Sequence, residues 1–187
     1  MARKKVEDEL TKEMIVEEAD RQFLQQDFQQ VSMRAIAKAL GCSHGAIYYH
    51  FQNKSDLFHA VIEKYFAVLN HYLDEALQEN GLEGTKRVLL KYMEFGLNFQ
   101  SQYELMFVKR DDFFDPLLQQ APNASYEKFS ATLQALHSHQ LKPVDIYATF
   151  MALHGFVLNH KGRVKHYEEA QQAAQNYCDY LVRALVY

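Results

Sequence analysis

Apolar positions along this chain fall three and four residues apart, and no segment alternates apolar with polar as a half-solvated strand would. The pattern predicts an all-α fold. Met14, Ile15, Ala19, Phe23 and Leu24 share one helical face, and Thr11 stands where an N-cap belongs, so a first helix is expected to about Gln26. Two short helices follow: Ser32 caps MRAIAKAL, which Gly41 ends, and Ser43 caps HGAIYYH. Asn53 caps a fourth, with Asp56 in the capping-box position, and its apolar residues from Leu57 to Leu77 keep the helical repeat for about five turns. Glu79-Asn80-Gly81 breaks it. Further helices are predicted near Thr85 to Gln100, Asp112 to Gln119 with an interruption at Pro116, Ser125 to His139, Pro143 to His160 and Tyr167 to Val186.

The second and third helices meet at the tight turn Gly41-Cys42-Ser43, and with the first they describe a helix-turn-helix. On the third helix Ile47 and Phe51 share a face able to pack on Ile36 and Leu40. His44, Gly45, Tyr48 and Tyr49 are then turned outward. A tyrosine there offers a hydroxyl to phosphate oxygens or base edges and a flat face to thymine methyls, and a glycine lets the helix approach a groove wall. Tyr48 is expected to share its surface with the fourth helix, and His50 fits either face. Ser32 and Ser43 sit at helix N-termini, where free amides favour phosphate. Lys54 opens the fourth helix, a place a cation disfavours unless an anion lies there too.

Charge first argues against a nucleic-acid partner, since the chain carries a net −4. Resolved along the sequence it argues the other way. Acidic residues crowd Glu7 to Asp27, whereas Phe28 to Ser55 holds none before Asp56 and contains Arg34, Lys38, Lys54, His44 and His50. With 48% apolar and 24% charged residues the chain is globular rather than disordered. MARKKVEDELTK has no apolar run behind it, so no secretory signal is read, and no segment is long and apolar enough for the membrane; the cytoplasm is the expected compartment. Cys42 and Cys178 lie far apart, which fits a reducing compartment, with Cys42 read as a small hydrophobe before a redox sensor.

No nucleophile elbow, catalytic triad or metal-ligand spacing emerges, so neither an enzyme, a cofactor nor a metal is expected. Asp111, Asp112 and Asp115 in DDFFDP match a magnesium-diphosphate pattern, but the chain is short for such an enzyme and has no second acidic motif; a solvated helix start is the better reading. His137 and His139 diverge on a helix. Arg3, Lys4 and Lys5 are equally a minor-groove arm or a tail.

TKEMIVEEADRQF followed by VSMRAIAKALGCSHGAIYYHFQNKSDLF resembles the DNA-binding head of the TetR family of bacterial transcriptional regulators, over roughly residues 11 to 66. Asp27 stands where that family usually has glycine, Cys42 where valine is common, and Ala35 where an acidic residue is usual. The resemblance implies a homodimer on a palindromic double-stranded DNA operator, with a C-terminal domain that binds a small ligand and releases DNA. Residues 1–56 are then the helix-turn-helix domain and 57–187 the helical ligand-binding and dimerisation domain. Ser32, Arg34, Ser43, His44, Gly45, Ala46, Tyr48, Tyr49, His50 and Lys54 are the expected DNA contacts, with Ser32, Arg34, Tyr48 and Lys54 on phosphates.

In the second half IYATFMALHGFVL, Ile146 to Leu158, is apolar nearly all round and needs burial on every side. One chain this short covers one side, so a second copy is expected on the other, through Tyr147, Leu158, Tyr177 and Leu181. ALHGFV also resembles the Trp-His-Gly signature of one subgroup, with Leu153 in place of Trp. Ligand candidates are Phe95, Phe99, Tyr103, Met106, Phe107, Phe129, Phe150 and Met151, with His154 and Asn98 as polar anchors for a small apolar or aromatic molecule. An aromatic stripe at helical spacing is also what plain core looks like. A ligand-independent DNA-binding protein whose C-terminal half binds a protein is the alternative.

Overall fold

A computed structural model describes residues 10–78, 80–108, 116–138 and 141–186. Arg3, Lys4 and Lys5, the acidic Asp111, Asp112 and Asp115, and His139 lie outside the described residues. The helices are α1 (Lys12–Gln25), α2 (Met33–Ala39), α3 (His44–His50), α4 (Lys54–Glu75), α5 (Gly81–Asn98), α6 (Gln100–Phe107), α7 (Pro116–Ala135), α8 (Pro143–His160) and α9 (Gln171–Val186), with short 3₁₀ turns at Ala76–Gln78 and Tyr167–Ala170. No sheet forms among them.

Local chemistry sets the first four helices. Thr11 Oγ1 accepts from the Met14 amide, Ser32 Oγ from Ala35 and Ser43 Oγ from Ala46. Asn53 Oδ1 accepts from the Asp56 amide, and the Asp56 carboxylate reaches back to the amide of Gln52 rather than of the cap itself. Gly41, at φ 66°, closes α2: the Cys42 amide returns to the Ala37 carbonyl and the Gly41 amide to Lys38. Gln26 ends α1 with extended backbone, and no non-glycine among the described residues has positive φ. Asp27 therefore needs no tolerance of the left-handed region, contrary to what the missing glycine suggested.

Ile15, Ala19 and Phe23 of α1, Ile36 of α2, Ile47 of α3 and Phe51 form the interior of the head, and Leu57, Phe58 and Val61 of α4 supply its floor. Phe23 stacks on Phe28 at 5.8 Å, and both meet the edge of Phe58 at 4.8 and 5.0 Å. α4 then continues into the second region, where α5 runs through the middle against α4, α8 and α9, while α7 lies along α4.

Three elements differ from the expectation. α5 starts at Gly81, because Thr85 is a turn inside it with its hydroxyl donating back to the Gly81 carbonyl at 2.9 Å rather than capping. α6 was not foreseen at all; Phe99 breaks the helical path at φ −121°, ψ 49°, and an independent helix restarts after it. Among the described residues α7 runs unbroken from Pro116 through Pro122 to Ala135, so the separate helices expected to end at Gln119 and to start at Ser125 are one; the expected start at Asp112 lies outside the described residues.

Candidate nucleic-acid interface and the aromatic core behind it

α3 is anchored by Ile47, 0% exposed, and by Phe51 just past its end. That leaves its other face in solvent. Tyr49 is 87% exposed and Tyr48 46%, the latter packed edge-on against the His44 ring at 4.7 Å. His50 meets Tyr49 edge-on at 5.2 Å. Gly45 lies one turn before Tyr48 and Tyr49, and a methyl added there would come no nearer than 4.0 Å to any neighbour, Ser43 Oγ. Nothing in the fold asks for that glycine, which in a helix costs about 1 kcal/mol relative to alanine. Ala46 is half-buried beside it. The Ser32 and Ser43 hydroxyls accept from their own helices, so each keeps its proton to donate outward, and Arg34 is exposed close to Ser32.

Lys54 is tied into the head itself. Its ammonium turns inward and donates to the carbonyls of Phe28 at 2.6 Å, Val31 at 3.0 Å and Gln29 at 3.5 Å, over the Phe28 ring at 4.2 Å. These carbonyls compensate the cation at the helix start. Lys54 thus holds the α1–α2 loop and, through it, Ser32.

A hydrogen-bonded bridge runs from the head into the second region. The Tyr65 hydroxyl of α4 donates to the Asp20 carboxylate of α1, which also pairs with Lys64 at 3.5 Å, and Gln102 of α6 bonds the same phenol. Burial, and then Asp20, raise the Tyr65 phenol well above its ordinary range, so it remains a donor.

Behind α6 lies an aromatic cluster. Tyr103, Phe95, Phe129 and Phe150 are buried there; Phe107 and Phe99 flank them, half-buried. At its centre is fully buried Tyr92, which the sequence reading missed although it shares the α5 stripe with Phe95 and Phe99. His154 joins α8 to this cluster: Nε2 lies 3.2 Å from the Tyr92 hydroxyl and Nδ1 bonds that of Tyr103. Burial holds both phenols protonated.

Other candidates part company with it. Met151 lies on the opposite face of α8, 49% exposed, because residues a turn from Tyr147 point with it and away from Phe150. Asn98 Oδ1 accepts from the Tyr167 amide at 2.9 Å and so pins the turn before α9. Met106 is buried. Of the expected interface residues, Tyr147 and Leu158 are exposed on α8, as are Val144 and Met151, and Tyr180 is exposed on α9. Tyr177 instead stacks on Phe156 at 5.4 Å and donates to the Ala152 carbonyl, and Leu181 is buried in its own chain. Cys178 is buried with its thiol pushed up to about 12, chiefly by burial, which leaves it inert. No helix among the described residues is long and apolar enough to cross a membrane.

Comparison with known proteins agrees with this geometry. The family profile for bacterial regulatory proteins of the tetR family matches residues 15–61, from the middle of α1 into α4. The HTH-type transcriptional regulator AcrR of Shigella flexneri is 48% identical over 64 residues, 34% of this chain and 30% of that protein. The nucleoid occlusion factor SlmA of Glaesserella parasuis is 26% identical over 137 residues, 72% of this chain and 68% of that one. The match to the first of these thus spans less than a third of its length. Among solved structures, the Bacillus subtilis transcriptional regulator FadR in complex with stearoyl-CoA superposes with a TM-score of 0.67 at 16% identity, over 94% of this chain and 98% of that one. At that identity the likeness is one of fold. Residues 15–61 thus match the tetR family of bacterial regulatory proteins in sequence, and the chain shares its fold with a solved transcriptional regulator.

Proposed function

We propose that the protein is a cytoplasmic, sequence-specific transcriptional repressor that binds a palindromic operator as a homodimer and is released by a small apolar or aromatic ligand. The observation that carries the reading is the outward face of α3, where Tyr48, Tyr49 and Gly45 stand in solvent, with His44 half-buried against Tyr48, over a completed core. Ser32, Arg34, Ser43 and Tyr48 contact phosphates; His44, Gly45, Ala46, Tyr49 and His50 face base edges. Lys54 acts at one remove, by holding the loop that carries Ser32. Residues 1–56 are the DNA-binding unit on the floor of α4, and 57–187 bind the ligand and the second copy. The exposed Val144, Tyr147, Met151, Leu158 and Tyr180 supply that dimer contact.

Two reading helices fit successive major grooves at about 34 to 36 Å. A ligand in the aromatic cluster displaces α6, and the Asp20–Tyr65–Gln102 bridge passes that shift to α1 and so to the spacing. It need favour the released state by only a few kcal/mol. The FadR structure, in complex with stearoyl-CoA by its description, supports the ligand site by likeness of fold.

The test is selection from random duplexes by the full chain, repeated with Tyr49→Ala. A defined palindrome is expected, with selectivity relaxed at one or two base pairs in the variant; enrichment of nothing overturns the reading. The similarity to SlmA over 72% of the chain favours a second reading, a DNA-binding protein whose C-terminal region docks a protein instead of a ligand. Operator binding insensitive to every small molecule but altered by a protein partner would select it.

A further inference from the structure

We propose that the core of the C-terminal region takes an uncharged aromatic molecule bearing one hydroxyl or amide, with Asn70 of α4 and Ser125 of α7 as its polar contacts. The proposal rests on the ligand-release reading and names the class of ligand.

Asn70 Oδ1 and Ser125 Oγ are shut off from solvent and lack a hydrogen-bond partner, Ser125 being 2% exposed. They belong to one seam. Lys128 Nζ of α7 lies 2.5 Å from Asp74 Oδ1 of α4, and the Gly81 amide, further along, donates to Leu136 at the end of α7; both chains advance together, so the helices run parallel. Asn70 is one turn before Asp74 and Ser125 one turn before Lys128, which puts both orphaned groups at the same level. One turn on from Ser125, Phe129 packs against Tyr92 at 5.7 Å and Phe150 at 5.3 Å. The face of α7 that carries Ser125 therefore looks into the aromatic cluster.

A buried polar group left unmatched costs about 1–3 kcal/mol, which an alanine at either position would avoid. Keeping two on one seam makes sense if a visiting molecule satisfies them. Its charge follows from the walls. Among the described residues no Asp, Glu, Lys or Arg is buried; the buried polar side chains are Gln22, Thr85, Ser125, Thr132 and Thr149. Lys128 on the seam is already paired with Asp74, and both His154 nitrogens already bond the Tyr92 and Tyr103 hydroxyls, so an anion would give up its hydration with no buried Lys or Arg to meet it. A neutral ring meets the aromatic edges and donates a proton to Asn70 Oδ1, while Ser125 Oγ can give or accept one.

Three isosteric probes separate these requirements: naphthalene, 2-naphthol and 2-naphthoate, titrated calorimetrically into the full chain at pH 7. We expect 2-naphthol to bind about tenfold more tightly than naphthalene, the ratio one neutral hydrogen bond supplies, and 2-naphthoate to give no measurable heat of binding. Ser125→Ala and Asn70→Leu should each shrink the 2-naphthol preference and leave naphthalene unaffected, without loss of thermal stability, since each removes an unmatched polar group. No binding by any probe, equal or tighter binding of the naphthoate, or a preference that survives both substitutions overturns the proposal. Duplex selection on the same protein keeps the outcomes apart: intact operator selectivity with failed probes sinks the ligand class alone, whereas lost selectivity sinks the functional reading.

Discussion

Two surfaces leave large side chains in water, the outer face of α3 and the outer face of α8 with α9, and their neighbours distinguish what each is for. On α3 the exposed rings are phenols, with half-buried imidazoles against them, framed by Ser32, Arg34 and Ser43, in a stretch with no acidic residue from Phe28 to Ser55. On α8 the exposed residues Val144, Tyr147, Met151 and Leu158 follow one another at helical spacing, and Tyr180 is exposed on α9. Exposure alone does not say what partner a face takes. Hydrogen-bonding rims suit a polyanion, and an apolar face suits another protein surface. The glycines repeat the lesson. A methyl on Gly96 would stand 2.6 and 2.8 Å from the two Val157 methyls, so that glycine serves the contact of α5 with α8; Gly45 serves no contact within the chain.

The sharpest test pairs Phe51 with Tyr49, two residues apart. Phe51→Ala removes a fully buried ring and is expected to cost about 3–5 kcal/mol of stability in urea unfolding. Tyr49→Ala should change stability by less than about 0.5 kcal/mol, yet cost about 1–3 kcal/mol of operator affinity by fluorescence anisotropy. Equal stability losses for the two would erase the distinction between the faces of α3.

Next come the cations. Lys54→Ala is expected to lower stability by about 1–3 kcal/mol, because three carbonyls lose a charged donor, and to leave the salt dependence of DNA binding unchanged. Arg34→Ala should do the reverse, sparing stability and reducing the slope of log affinity against log salt by about 0.9. A change of slope at Lys54 would return it to the phosphate contacts.

Gly96→Ala should then cost about 1–3 kcal/mol, since Val157 is branched and cannot swing aside. Gly45→Ala, the smallest effect, should stabilise the head by about 0.5–1 kcal/mol while weakening operator binding. A variant that is more stable and binds DNA equally well would mean that nothing approaches α3 closely there. For the α8 surface, Leu158→Asp should yield monomers by sedimentation with the monomer fold intact.

Much of the head was legible in the chain because its determinants are local. Thr11, Ser32, Ser43 and Asn53 each bond an amide three residues on, and Gly41 turns α2 off in the left-handed conformation; such signals need only near neighbours. The outward placement of Tyr48 and Tyr49 followed from the inward placement of Ile47 and Phe51 by helical geometry alone. Thr85 misled for the same reason: a threonine can cap a helix or bond back one turn inside it, and the sequence does not choose.

What the sequence settled by itself was the all-helical fold, the helix-turn-helix and the identity of the face it offers, since caps, turns and the 3.6-residue repeat act over a few residues. Tertiary structure decided where long side chains end. Lys54 crosses to carbonyls 23 to 26 positions earlier, Tyr65 finds Asp20 45 positions away, His154 bridges two phenols from α5 and α6, and Asn70 and Ser125 share a seam that only the α4–α7 register creates. Those partners are set by packing between helices remote in sequence, and no local periodicity encodes them.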